Sequence, residues 1–115
     1  MHSRVKKLFC DGYVERQVMI LDPSKLGFDL LCFIFLNTRV HQLKQLNEFE
    51  QNIQSFSQVL ECYTLTGEND YVLKVICRNS NDLQHFIRQL NGIPEITRIQ
   101  TSVSSRKVKF STELP

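Results

Sequence analysis

Two hydrophobic rhythms alternate along the chain. FDLLCFIFLNT, Phe28 to Thr38, is apolar at every position from Leu30 to Leu36, so it predicts a strand that wants cover on both faces. In HQLKQLNEFEQNIQSF the spacing lengthens. Leu43, Leu46, Phe49, Ile53 and Phe56 step by three or four and draw one stripe of an amphipathic helix, with Thr38 or Asn37 as its cap. QVLECYTLT, Gln58 to Thr66, and DYVLKVIC, Asp70 to Cys77, predict two strands around a polar turn. Leu83, Phe86, Ile87 and Leu90 mark a second helix in NSNDLQHFIRQL, capped by Ser80 or Asn81 and followed by Gly92 where a C′ glycine belongs. Pro94 cannot extend that helix, and ITRIQTSVSS, Ile96 to Ser105, alternates as a last strand.

The order from residue 28 is βαββαβ. This is an α+β, ferredoxin-like unit: a four-stranded antiparallel sheet with two helices on one face. Upstream, RVKKLF reads as a short helix end, and YVERQVMIL as a strand stopped by Asp22-Pro23. The helices leave the other sheet face bare, yet Leu30–Leu36 has no polar side to give to water, and Val72 and Ile76 alternate with Leu73 and Val75. Bare apolar faces of this size mark interfaces. A second copy is therefore expected on that face, against Leu31, Phe33 and Phe35 or their alternates Cys32 and Ile34; the other reading folds the N-terminal strand over it.

Composition narrows the function. The 115 residues are 42% hydrophobic with 8 Phe, enough for one domain with a core. A formal charge of +2 lacks the strong basic bias of a dedicated nucleic-acid binder. Cys10, Cys32, Cys62 and Cys77 form no CxxC and have no histidine at zinc-finger spacing, so they are read as structural thiols, and no metal or cofactor is expected. His2, His41 and His85 are far apart, and Glu48 and Glu50 read as a solvated helix face. There is no phosphate-binding glycine loop, no GxSxG elbow and no acid–base cluster. No secretory signal or membrane-length apolar run is visible, so a cytoplasmic protein is expected.

Four segments resemble the Lrp/AsnC family of transcriptional regulators. RVKKLFCDGYVERQVMILDPSKLG is similar to the family's junction of recognition-helix end, wing, hinge strand and LDPxxLG. VLECYTLTGENDYVLKV is similar to its VLECxxVTGDYDYLLxV hairpin, IPEITRIQTSV to its approach to the last strand, and VKFSTELP to its VKxTTxLP ending. The resemblance implies residues 1–22 as a remnant of the winged-helix junction and hinge strand, and 23–115 as an effector-binding and oligomerisation domain. It implies a homodimer that builds a higher even oligomer, a small amino acid effector, and DNA contact only through a winged helix-turn-helix largely absent here; fragment and stand-alone domain both remain open. It places Gly67, Glu68, Asn69 and Asp70, with Thr101 and Ser102, at the effector site. Glu68 and Asn69 stand where the family carries Asp and an aromatic residue. The residues themselves leave a plain turn open, with Asp70 bonding its own turn backbone. Two other readings stay in play: a small ferredoxin-like dimeric enzyme, and an amino-acid-sensing module of a metabolic enzyme.

Overall fold

The computed structural model describes residues 26–39 and 42–115. The helix end and hinge strand expected in 1–22, with Cys10, His2 and His41, lie outside them. The described elements are β1 (Leu30–Thr38), α1 (Leu43–Gln54), β2 (Val59–Thr64), β3 (Tyr71–Cys77), α2 (Ser80–Asn91) and β4 (Ile96–Val103). They form one antiparallel sheet in the order β2-β3-β1-β4, the expected βαββαβ arrangement.

Period-two geometry explains the core. Cys32, Ile34 and Leu36 of β1 and Tyr71, Leu73, Val75 and Cys77 of β3 share a face, and they are buried with Phe49 and Ile53 of α1 and Phe86 and Leu90 of α2. Two aromatic pairs tie the helices down: Phe49 with Tyr71 at 5.3 Å between ring centres, and Phe56 with Phe86 edge-on at 5.4 Å. Leu31, Phe33 and Phe35, with Val72 and Ile76, stand on the opposite face, half-buried and without a helix over them among the described residues. Of the two β1 sets expected at an interface, Cys32 and Ile34 belong to the core. The pleat aims them at the helices.

The helix ends differ from expectation. Asn79, not Ser80 or Asn81, caps α2: its side-chain oxygen accepts from the Asp82 N–H at 2.9 Å. Gln42, with extended backbone and no side-chain cap bond, precedes α1, because Asn37 and Thr38 are still in β1. Gly92 ends α2 right-handed at φ −75°, so no left-handed glycine is required there. A Cβ on it would meet the Gln89 carbonyl at 3.3 Å. Leu43 opens the apolar stripe but is 74% exposed. Cys32 and Cys77 are buried free thiols, and Cys62 is exposed. Burial, then the neighbouring Cys32, pushes the Cys77 thiol up to about 12, which makes it an inert packing group. Among the described residues no helix is long and apolar enough to cross a membrane.

Candidate functional site

The β2–β3 loop closes through the Leu65 N–H, which donates to the Asp70 carbonyl at 2.9 Å. Gly67 turns the chain at φ +130°, a region that disfavours side chains even though a Cβ there would meet nothing. Asp70 then pins the loop to the central strand. Its N–H donates to the Leu36 carbonyl at 2.9 Å, and its carboxylate accepts from the Thr38 N–H at 2.8 Å. The carboxylate bonds β1 rather than its own turn, so part of its accepting capacity is already used. Gly67 and Glu68 stay exposed and Asn69 is half-buried.

Thr101 and Ser102 lie elsewhere on the sheet. Thr101 pairs with Ile34 and faces the helices; Ser102 pairs with Phe33 and faces the open side. The loop meets β1 at Leu36 and Thr38. From Ile34 to Asn37 is three residues, roughly 10 Å of strand. One chain therefore gathers Gly67–Asp70 but does not bring Thr101 and Ser102 to them, and it points those two side chains to opposite faces.

Two features escape the sequence reading. Glu50 is not a solvated bystander: it accepts from the Tyr71 hydroxyl at 2.8 Å. Together with Gln54, Cys62, Thr64 and Tyr71 it lines a shallow groove of about 300 Å³ between α1 and β2. Burial, then Glu50, raises the Tyr71 hydroxyl pKa. Cys62 is exposed as a residue, but its thiol sits against the groove wall; desolvation, then Glu50, raises it too. The signal was available: Glu50 stands four after Leu46 and three before Ile53, inside the apolar stripe. The second feature is Asn37, whose side-chain oxygen is buried without a partner among the described residues, at the β1 irregularity opposite Asp70. Nothing in the spacing distinguishes it from a cap.

On the open face, Lys74 of β3 pairs with Glu61 of β2 at 3.0 Å, and the Tyr63 hydroxyl donates to Glu61 at 2.5 Å. The Tyr63 bond first, and Lys74 next, holds the Glu61 carboxyl below its usual range. Glu61 and Tyr63 border the apolar strip of Leu31, Phe33, Phe35, Val72 and Ile76 on one side, and Lys74 interrupts it between Val72 and Ile76, opposite Phe33. Gln100 and Ser102 of β4 border it on the other.

The comparisons with known proteins meet this geometry. The model of the Lrp/AsnC ligand binding domain matches residues 31–114. An HTH-type transcriptional regulator, FL11 of Pyrococcus horikoshii, is 30% identical over all of this chain and 74% of its own length. The transcriptional regulator AzlB of Bacillus subtilis is 31% identical over 98% of this chain and 73% of its own. Among solved structures, an AsnC family regulator of Agrobacterium tumefaciens superimposes with a TM-score of 0.87 at 28% identity, covering 99% of this chain and 74% of that one. A Neisseria meningitidis transcriptional regulator in complex with L-methionine gives 0.88 at 28% identity over the same shares. The chain belongs to the Lrp/AsnC family of transcriptional regulators and carries that family's ligand-binding domain.

Proposed function

We propose that this chain is an amino-acid-responsive effector-binding and oligomerisation domain that sets the assembly state of a cytoplasmic regulator. DNA contact is assigned to a winged helix-turn-helix domain, not to the domain described here. The proposal contains no catalytic step, metal or cofactor. One observation carries it: a relative of the same fold is solved with L-methionine, and the loop here keeps Gly67 and Glu68 exposed while Asp70 holds it rigidly to β1.

Two copies are proposed to pack through Leu31, Phe33 and Phe35, and dimers to meet in a higher even oligomer. The separation of the loop from Thr101 and Ser102 within one chain supports a composite site. Gly67–Asp70 of one protomer would face Thr101–Ser102 of another across the contact between dimers. Glu68 and Asn69 can accept from an α-ammonium, and loop N–H groups and the Ser102 hydroxyl can donate to a carboxylate. The ligand is a free amino acid, apolar rather than charged in its side chain.

A thermal-shift screen of the twenty amino acids tests this reading. With a dissociation constant of about 1 mM and ligand at about 10 mM, linkage adds about 1.4 kcal/mol. For a domain of this size that is a rise of several degrees. Glu68→Ala and Ser102→Ala should each shrink the rise while leaving the ligand-free transition in place. A screen in which no amino acid moves the transition refutes the effector reading. Full responses in both variants would move the site elsewhere.

A further inference from the structure

Among the described residues, two unpaired backbones stand at opposite ends of the sheet. β2 is, among the described residues, an edge strand, hydrogen-bonded only to β3. Around that edge Leu60, Tyr63 and Leu65 are exposed, at 48%, 56% and 37%. The second is the tail after β4. Ser104 still donates to the Leu31 carbonyl at 2.8 Å, but among the described residues no backbone–backbone bond joins 105–115 to anything. The tail nevertheless carries Val108, Phe110 and Leu114, exposed at 81%, 57% and 92%. Three large, exposed apolar side chains on a segment without backbone pairing among the described residues are a liability for a monomer. An edge strand with free N–H and C=O groups is a template for another extended segment.

Charge separates the two surfaces in the same sense. Residues 26–105 hold six Lys and Arg against eight Asp and Glu, whereas 106–115 hold three (Arg106, Lys107, Lys109) against one, Glu113. On the groove side of β2 the carboxylate is Glu50 of α1, with Cys62 and Thr64, whereas Glu61 of β2 is already paired with Lys74. Among the described residues Glu50 has a hydrogen bond from Tyr71 but no cation at ion-pair distance. Within the tail, Lys107 lies over the Phe110 ring at 5.0 Å, an exposed contact that water competes with.

We propose that the tail of one copy adds as a strand to the outer edge of β2 of a second copy. Val108 and Phe110 pack on the side of Tyr63, and Lys107 and Lys109 turn into the groove towards Glu50. Alternation along a strand makes this division possible, because Tyr63 faces the open side of the sheet, whereas Cys62 and Thr64 face the groove. The pairing runs between copies because the tail leaves from β4, at the edge of the sheet opposite β2. It depends neither on the amino acid ligand nor on the face-to-face packing proposed above.

Cysteine crosslinking tests it. In a Cys10→Ser background, Lys107→Cys, Lys109→Cys and Ser111→Cys are made one at a time and oxidised mildly at alkaline pH, where the Cys62 thiol can ionise. These positions are exposed and in the tail, so the fold should tolerate all three. At least one should give a disulfide-linked dimer, at twice the 13.5 kDa of one chain, that disappears when Cys62→Ser is added. No dimer from any of the three overturns the proposal. So does a dimer that survives Cys62→Ser, or a link to Cys62 found only within single chains.

Discussion

The two faces of β1 are built from the same kind of residue and have different fates. Cys32, Ile34 and Leu36 are fully buried under the helices, whereas Leu31, Phe33 and Phe35, interleaved with them, are half-buried with no helix above among the described residues. Composition does not separate the sets; the pleat does. One apolar strand thus supplies a core face that the described helices cover and an open face that they leave bare, the face proposed above as the contact between copies.

The difference is sharpest in paired substitutions. Ile34→Ala on the helix side should cost about 2–5 kcal/mol, because a fully buried side chain is removed and the cavity cannot collapse. Chemical denaturation would register it as a lower midpoint at unchanged slope. Phe33→Glu, one residue away, should do the reverse. It should leave secondary structure in place but weaken self-association at least about tenfold, or about 1.4 kcal/mol, as followed by sedimentation across a dilution series. If Phe33→Glu unfolds the chain and leaves its size unaltered, the open face is not an interface.

A smaller effect separates the faces by pH. Tyr71 and Cys77, both on the helix side, have pKa values raised above their ordinary 10.0 and 9.0, chiefly by burial. A raised folded pKa favours the protonated form, so these groups contribute fully below the unfolded pKa, and the contribution is lost as pH rises past it. Stability should be flat at neutral pH and fall above about pH 9 to 10. Tyr71→Phe should make that alkaline fall shallower, by at most about 1.4 kcal/mol per pH unit. An unchanged alkaline slope would mean that Tyr71 ionises freely and that its bond to Glu50 does not hold.

Long-period features of this fold were legible from the residues. The βαββαβ order, the apolar stripe of α1 and the positive φ of Gly67 follow from hydrophobic spacing and turn chemistry. Local choices were not. Asn79 and Ser80 are equally good caps on paper; the register of the chain leaving β3 puts Asn79 at the cap position. Asp70 reads from the sequence as an effector contact or as a bond within its own turn, and neither reading reaches its bond to Thr38, which joins segments 32 residues apart. Glu50 was read by its charge, although its place in the stripe predicts contact with the sheet. The candidate site is named in the sequence as a loop and a strand, and one folded chain does not join them, since Thr101 pairs with Ile34 while the loop meets Leu36 and Thr38.

The strand order also has a kinetic meaning. β1 is the first described strand and the most apolar, yet it sits in the middle of the sheet. Its neighbours come late: Leu31 waits for Ile76, and Cys32 waits for Val103. Contacts so distant in sequence make folding slow, on the order of milliseconds to seconds rather than microseconds. During synthesis, Leu30–Leu36 leaves the ribosome well before either partner, a seven-residue segment with no charge, proline or glycine. Until β4 has been made, the risk of misassociation is greatest in the segment that later becomes the centre of the fold.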